Sequence, residues 1–297
     1  MFNAKRRTRE DVIFDIINYS VLGVACVVVL YPIYFMVIAS FSDPNLVATG
    51  NVWAFPKGLT IEGYKRIFND GSIWRGYGNS IIYAGLGALV SVVMTITGAY
   101  PLSRKDFYGR NFFMIVFLFT MFFGGGLIPT YLLVKNLGMT NKLWSMIIPG
   151  AVSVWNVIIA RTFFQSTIPD ELREAAAIDG CSDIGFFLKI VIPLSKPIIA
   201  VLALYTIVGQ WNGYFDALIY LGDEKKYPLQ LILRNILIQA EPEKGMLVDV
   251  ETLMAKQRAK ELLKYGVIMV SSLPLLIIYP FIQKYFVKGV MIGSIKG

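Results

Sequence analysis

The sequence predicts an all-α integral membrane protein with six transmembrane helices, and two features carry that prediction. Of 297 residues, 56% are hydrophobic and only 16% are charged, which is too apolar for an ordinary soluble domain. Six runs contain no Asp, Glu, Lys or Arg: 16–42, 76–103, 111–134, 143–160, 197–215 and 265–283. A helix needs about 17 to 25 apolar residues to cross a bilayer, so each run is long enough. The predicted spans are about 16–41, 78–101, 112–134, 143–163, 197–219 and 265–284.

Basic residues at the amino end predict the orientation. Four of them precede the first run: Lys5, Arg6, Arg7 and Arg9. Basic residues next to a span favour the cytoplasmic side, and the run is too long for a signal peptide and lacks a small-residue cleavage site. We therefore expect an uncleaved first span, a cytoplasmic amino terminus at 1–15 and, after six spans, a cytoplasmic tail at 285–297.

The composition excludes several kinds of site. The chain has no histidine, which leaves out zinc-type sites and His-based acid–base catalysis. Cys26 falls inside the first span and Cys181 in a polar loop, so we expect two packing residues and no disulfide. No Gly-Lys dipeptide occurs, so the chain carries no phosphate-binding P-loop. The net charge of +8 fits anionic lipid headgroups, and we expect no nucleic acid, cofactor, metal or catalytic activity in this chain.

One polar stretch, 168–193, separates two long apolar runs and predicts a helix-turn-helix unit. Pro169 and Asp170 begin a helix, because proline and acidic residues favour the first turn, and Gly180 ends it in a left-handed conformation. Ser182 with Asp183 caps a second helix, which Pro193 closes. One face of the first helix holds Leu172, Ala175, Ala176 and Asp179. Two alanines at the tip would let the backbone of a partner protein come close, which favours insertion into a groove.

The same stretch resembles the E-A-A-x3-G-x9-I-x-L-P loop of ABC importer permeases. The matching residues are Glu174, Ala175, Ala176, Gly180, Ile190 and Pro193, with Ile192 in place of the leucine. The resemblance implies the MetI-like permease fold, with a transmembrane domain over 16–290 and a cytoplasmic coupling loop at 164–196 that docks on an ATPase. It assigns ATPase coupling to Glu174, Ala175, Ala176, Asp179, Gly180, Phe186, Ile190 and Pro193. The alternative, an amphipathic loop on the lipid surface, would not require Gly180 and the alanines at these positions.

The resemblance also implies partners and a location. These are a second homologous permease, a dimer of ATP-binding-cassette ATPases that uses ATP, and an extracytoplasmic solute-binding protein, all at a bacterial cytoplasmic membrane. The loop between the fifth and sixth spans, in which Pro228 begins an amphipathic helix and a second helix runs from about 248 to 264, is expected to contact the binding protein.

Two segments favour a sugar as the solute. The loop from Ser42 to Tyr77, with Tyr64, resembles that of carbohydrate-type, MalG-like permeases, although a plain solvated connector is the alternative. The G-G-L-I-P-T-Y segment at 125–131 resembles a subset associated with oligosaccharides and polysaccharide fragments. Three glycines before Pro129 weaken a transmembrane helix, so this segment is expected to face the interior of the assembly, or to pack closely through glycine.

A polar and aromatic cluster at 210–216 is the candidate substrate path, because sugars bind to aromatic faces and to amide groups. The candidates are Trp211, Asn212, Tyr214 and Asp216, with Asn156 and Tyr131 from earlier spans. On one continuous helix Asn212 and Asp216 would share a face and line the path, while Trp211 or Tyr214 packs on a neighbour. Asp216 could instead be solvated or paired with a lysine at the membrane surface.

We therefore predict a permease subunit of an ATP-driven, binding-protein-dependent importer of sugars, in particular oligosaccharides, that forms half of the translocation pathway. The alternatives are a permease for a non-sugar solute and a secondary transporter. A secondary transporter would usually show repeated halves and several intramembrane carboxylates. A membrane enzyme would need a catalytic constellation that the sequence lacks.

Overall fold

A computed structural model of the chain describes residues 8–239 and 262–280, and all regular structure in these ranges is helical. The α-helices are α1 (Arg9–Ser40), α2 (Pro44–Ala48), α3 (Glu62–Asn69), α4 (Gly71–Ser103), α5 (Arg110–Phe122), α6 (Leu127–Asn136), α7 (Trp144–Ile147), α8 (Val154–Thr167), α9 (Asp170–Ile178), α10 (Asp183–Phe186), α11 (Ile192–Leu194), α12 (Lys196–Asn212), α13 (Phe215–Tyr220), α14 (Leu229–Gln239) and α15 (Leu262–Pro280). A π-helical turn, Phe187–Val191, joins α10 to α11, and a 3₁₀ turn covers Glu224–Lys226. The tail predicted at 285–297 and most of the helix predicted at 248–264 lie outside the described residues.

Three of these helices, α1, α4 and α15, are each long and apolar enough to cross a membrane. Two further pairs of helical segments pass the same test only when the two members are taken together. One pair is α5 with α6, bent by 111°, and the other is Asp183–Leu194 with α12, bent by 75°. The described residues therefore hold three to five candidate spans. The predicted count of six stays a prediction.

The predicted fourth span, 143–163, is not one continuous helix. It consists of α7, a non-helical segment at 148–153 and the first part of α8. Pro149 has no backbone N–H to donate and Gly150 has a low helix propensity, so the helix stops there. In the predicted third span α5 ends at Phe122 and α6 begins at Leu127, so the glycines expected to weaken this helix, Gly124 to Gly126, lie in a break between two helices.

The described residues form two compact units, 8–69 with 236–239 and 262–271, and 70–235 with 272–280. In the first unit, the carboxyl-terminal end of α1 packs against the segment that follows it. Ile38, Ala39 and Val52 are buried there, and the ring of Phe35 meets that of Tyr265 edge to face at 5.9 Å. The rest of α1 is exposed in this chain, which is expected of a helix that faces lipid or a partner.

In the second unit, α4 is the central helix and packs against α8 and α12. Small buried residues on facing helices, Ala99 on α4 and Ala160 on α8, let the backbones approach closely. The same core continues into the polar loop, where Phe186 and Val191 are fully buried. Burial of each large apolar side chain stabilises the fold by about 1.5 to 3 kcal/mol, so the loop is held firmly against α4 and α8.

Candidate functional site

The predicted fifth span is interrupted at Gly213, next to the candidate substrate path. Helix α12 ends at Asn212, Gly213 is extended with φ −73° and ψ 126°, and α13 begins at Phe215. A β-carbon at Gly213 would lie 3.3 Å from the carbonyl oxygen of Gly209, so the close turn favours glycine. The expectation that Asn212 and Asp216 share one helical face is therefore wrong, because no continuous helix joins them.

A cavity of about 470 Å³ lies beside this interruption. Its walls come from α4, α7, α8 and α12, from the segment at 148–153, and from the start of α13. The lining residues are Ser91, Met146, Gly150, Ser153, Trp155, Asn156, Tyr205, Thr206, Gly209, Gln210, Gly213 and Asp216. Sites for small molecules typically measure about 300 to 1,000 Å³ and mix apolar walls with a few polar groups, and this cavity has both properties.

Hydrogen bonds between elements fix two of the polar walls. The Gln210 amide Nε2 donates to the carbonyl oxygen of Met146 at 3.1 Å, and Thr206 Oγ1 donates to Ser91 Oγ at 3.3 Å. These bonds tie α12 to α7 and to α4. The walls are therefore positioned before a ligand arrives, which lowers the entropy cost of binding.

The chemistry of the lining suits a polyhydroxylated ligand. Trp155 and Tyr205 are exposed and present flat aromatic surfaces, while Asn156 brings an amide that can both donate and accept hydrogen bonds. Among the described lining residues, Asp216 is the one that carries a charge. A carboxylate accepts hydrogen bonds from hydroxyl groups, and so does the carbonyl oxygen of a side-chain amide.

Two of the six predicted substrate-path residues, Asn156 and Asp216, line this cavity, and the others lie elsewhere. Asn212 is exposed but outside the lining. The three aromatic candidates make contacts within the chain: Trp211 with the ring of Tyr77 at 5.8 Å, Tyr131 with the ring of Tyr220 at 6.3 Å, and Tyr214 with the guanidinium of Arg234 at 5.3 Å. The packing expected of Trp211 on a neighbouring element is confirmed.

Several polar and aromatic lining residues were not among the candidates, and three of them, Tyr205, Thr206 and Gln210, lie on α12. A signal was present, because these residues with Gly209 recur at spacings of three to five in an otherwise apolar helix. Such a stripe marks one face of a helix that does not contact lipid.

The candidate coupling segment has the local structure that the sequence predicts. Helix α9 begins at Asp170 after Pro169, and Gly180 takes a left-handed conformation with φ +73°. The amide of Cys181 donates to the carbonyl oxygen of Ala176 at 2.9 Å, a bond that closes the helix end. Ser182 caps α10 by accepting a hydrogen bond from the amide of Gly185 at 3.1 Å. Pro193 lies in α11, one residue before the helical run ends.

Ala175 and Ala176 of α9 have different surroundings, which corrects the expectation that both lie at an exposed tip. Ala176 is buried in the same core as Phe186, so it packs within the chain. Glu174, Ala175 and Asp179 are exposed, and Ile190 is partly buried. Ile178, at the end of α9, is 87% exposed.

Charged side chains connect this segment to the end of α4, in a cluster that sequence reasoning missed. The arginine–aspartate cluster consists of Arg104, Asp106, Arg173 and Asp183. Arg104 pairs with Asp106 and approaches Asp183 at 3.6 Å, while Arg173 lies 3.2 Å from Asp106 and 3.6 Å from Asp183. Arg104 also donates to the hydroxyl of Tyr100 at 3.3 Å. Each arginine bridges two aspartates, so α9 and α10 are fixed relative to the end of α4.

The charges of the cluster stabilise one another. The hydrogen bond from Arg104, together with the positive charges of Arg104 and Arg173, holds the pKa of Asp106 below its usual range. The bond to Asp106 raises the pKa of Arg104 despite burial, so this guanidinium stays charged. Arg104 and Asp106 are therefore held as an ion pair at neutral pH.

The comparisons with known proteins agree with this geometry. The sequence pattern of the family described as the inner membrane component of binding-protein-dependent transport systems matches residues 104–240. Protein LplC of Bacillus subtilis (strain 168) is 40% identical over 290 residues, which cover 98% of this chain and 97% of LplC. The chain belongs to this family of transport permeases.

Two further similarities extend over the permease. The polygalacturonan/rhamnogalacturonan transport system permease protein YtcP of Bacillus subtilis (strain 168) is 38% identical over 285 residues, covering 96% of this chain and 99% of YtcP. A chain from the crystal structure of a bacterial ABC transporter involved in the import of the acidic polysaccharide alginate aligns with a TM-score of 0.83 and 33% identity. That alignment covers 95% of this chain and 100% of the other.

Membership of the family confirms several predictions. The permease is an all-helical, multi-pass component of the inner membrane and a transport subunit of an ABC importer, not an enzyme. The family operates with a solute-binding protein, an ATPase and a second permease. The alternative of a secondary transporter is thereby set aside. The roles of the individual site residues stay predictions.

Proposed function

We propose that this permease carries oligosaccharides, that its cavity beside Gly213 forms half of the translocation pathway, and that α9 couples it to an ATPase. The cavity is the observation that carries the proposal. Asn156 and Asp216 line it with hydrogen-bonding groups, and Trp155 lines it with an aromatic surface. Sugars present hydroxyl groups at their edges and apolar C–H faces, so both kinds of wall find a partner on one ligand.

Similar proteins support a carbohydrate over another solute. YtcP is named for polygalacturonan and rhamnogalacturonan transport, and the structural relative belongs to an importer of alginate. These names concern saccharide polymers, and the polar, aromatic-walled cavity of this permease suits the hydroxyl groups and C–H faces that saccharides share.

For coupling, the exposed part of α9 is the proposed contact with the ATPase. Glu174, Ala175, Ile178 and Asp179 are exposed, whereas Ala176 and Phe186 secure the helix to the core of the permease. A force applied to α9 would therefore reach α4 through packed side chains and the arginine–aspartate cluster. The partner ATPases bind and hydrolyse the ATP, and they drive transport only if nucleotide binding favours one orientation of the cavity. In this arrangement α9 and both chain termini face the cytoplasm.

Substitution of Asn156 tests the cavity assignment, and Asn212 on the neighbouring element provides a matched control. Loss of one hydrogen bond to an uncharged ligand costs about 0.5 to 1.5 kcal/mol. We therefore expect Asn156→Ala to raise the substrate concentration for half-maximal uptake by up to roughly tenfold, at 1.4 kcal/mol per factor of ten. Asn212→Ala should leave uptake unchanged, because Asn212 lies outside the cavity.

The measurement is uptake of labelled oligosaccharides by vesicles that contain the whole transporter, with basal ATP hydrolysis and complex assembly as controls. Both variants should assemble and hydrolyse ATP at the basal rate. Wild-type uptake by Asn156→Ala at low substrate concentration, with impaired uptake by Asn212→Ala, would contradict the assignment.

A further inference from the structure

The loop between α2 and α3 carries a group of exposed apolar side chains. This aromatic loop, residues 51–61, reads N-V-W-A-F-P-K-G-L-T-I. Within it, Trp53 is 67% exposed, Phe55 75% and Leu59 77%. Large apolar side chains clustered at an exposed surface usually mark a contact with another apolar body.

Two hydrogen bonds hold the aromatic loop against the flank of α1. The hydroxyl of Tyr31 donates to the carbonyl oxygen of Trp53 at 3.0 Å, and the hydroxyl of Tyr34 donates to the carbonyl oxygen of Ala54 at 2.5 Å. Val52 is buried against the end of α1 and anchors the loop from the other side. Trp53 and Phe55 are therefore fixed beside a helix that is itself exposed over most of its length.

The position of the two tyrosines along α1 sets the depth of the loop in the bilayer. The charge-free part of α1 follows Asp15, so Asp15 marks the near boundary of the hydrocarbon layer. At about 1.5 Å per residue, Tyr31 and Tyr34 lie about 24 and 28 Å beyond Asp15, and the hydrocarbon layer is about 30 Å thick. For a helix along the membrane normal, this distance would place the carbonyl groups that these tyrosines bind near the far interface.

The chemistry of the loop fits that depth. Trp and Tyr are enriched at membrane interfaces, where an aromatic ring meets the acyl chains and a polar atom meets the headgroups. Lys57 is exposed and can extend its ammonium group toward phosphates. Backbone carbonyls in a poorly hydrated layer require partners, and the tyrosine hydroxyls supply them at Trp53 and Ala54.

We propose that the aromatic loop lies in the bilayer interface at the far end of α1, with phospholipid as its partner. Trp53 and Phe55 then enter the boundary between headgroups and acyl chains. This contact is independent of the solute that the permease carries.

Spin labelling of the whole transporter in phosphatidylcholine vesicles tests the proposal. In a complex without other cysteines, including Cys26→Ser and Cys181→Ser in this chain, a label is placed by Phe55→Cys. The matched control is Lys65→Cys, at an exposed position of α3. We expect the label at position 55 to be relaxed more by oxygen, which partitions into lipid, than by a water-soluble nickel chelate, and the label at position 65 to show the reverse order. A label at position 55 that favours the chelate, or that neither reagent reaches, would overturn the proposal in favour of a solvated loop or a protein partner.

Tryptophan fluorescence gives an independent readout that does not require a label. The difference in emission between the wild type and Trp53→Phe is the emission of Trp53. The difference between the wild type and Trp155→Phe is the emission of Trp155, a residue of the cavity wall. In vesicles that contain dibrominated phospholipid, we expect a larger fractional loss of emission from Trp53 than from Trp155. Equal or smaller quenching of Trp53 would contradict a lipid contact.

Discussion

Gly180→Val should abolish substrate-stimulated ATP hydrolysis by the reconstituted transporter while the chain still enters the membrane. Gly180 has φ +73°, a conformation that costs other L-residues about 1 to 2 kcal/mol, and a β-branched side chain is especially unfavourable there. A side chain at this position would meet no neighbour within 4 Å, so the expected effect comes from backbone strain and not from a clash. The strain would displace the end of α9 and with it the exposed surface that includes Ile178.

Gly180→Asn is the matched control, because asparagine adopts the left-handed conformation more readily than other residues with side chains. It should retain most of the stimulation. Full stimulation with Gly180→Val, measured as the ratio of ATP hydrolysis with and without the loaded binding protein, would remove α9 from the coupling pathway.

Arg104→Gln should weaken coupling and lower the thermal stability of the permease. The Arg104 side chain is only 16% exposed and bonds to Asp106 and Tyr100, so its loss leaves Asp106 with one cationic partner, Arg173. Hydrogen bonds that involve a charged group contribute on the order of 1 to 3 kcal/mol each. The connection between α4 and the coupling segment should therefore loosen, and stimulated hydrolysis should fall severalfold while basal hydrolysis persists.

The adjacent residue supplies the control for this prediction. Lys105 makes a single ion pair with Asp170 at 3.0 Å and both side chains are largely exposed, so Lys105→Gln should change coupling and melting temperature very little. Equal effects of the two substitutions would show that charge near α4, rather than the cluster, controls coupling.

The cluster also has a defined pH dependence. Because the pKa of Asp106 is lowered in the folded state, its stabilising contribution is fully present above the ordinary carboxyl pKa of about 3.9 and is lost as the pH falls through the lowered value. The difference in melting temperature between the wild type and Arg104→Gln should accordingly be constant near neutral pH and shrink only in strong acid.

The sequence predicts those features of the permease that depend on local chemistry. The start of α9 at Asp170, its end at Gly180 and the cap at Ser182 follow from capping preferences that act within four residues. The E-A-A spacing then indicates the family before any comparison. The break before α6 is likewise local, because three glycines precede it.

Features that depend on contacts between distant residues were predicted less well. An apolar composition does not reveal that Gly213 interrupts the helix. The sequence therefore predicts Asn212 as a path residue, whereas Gln210 of the same cluster is the one that lines the cavity. The arginine–aspartate cluster combines Arg104 with Asp183, and no sequence period relates them. Ala176 could be assigned to the core only once Phe186 was seen beside it.

The central claim is that α9 is the element through which the ATPase drives the permease. Cross-linking of α9 to the ATPase tests this claim most directly. Two variants are made in a complex without other cysteines in this chain: Ile178→Cys at an exposed position and Ala176→Cys at a buried one. Each is treated with a short bifunctional reagent that couples the cysteine to lysines of nearby subunits, and the products are compared. The account predicts a cross-link from position 178 to the ATPase, reduced when ATP and the loaded binding protein change the state of the transporter, and no comparable product from position 176. A complex that transports substrate while position 178 forms no product with the ATPase in any state would contradict it.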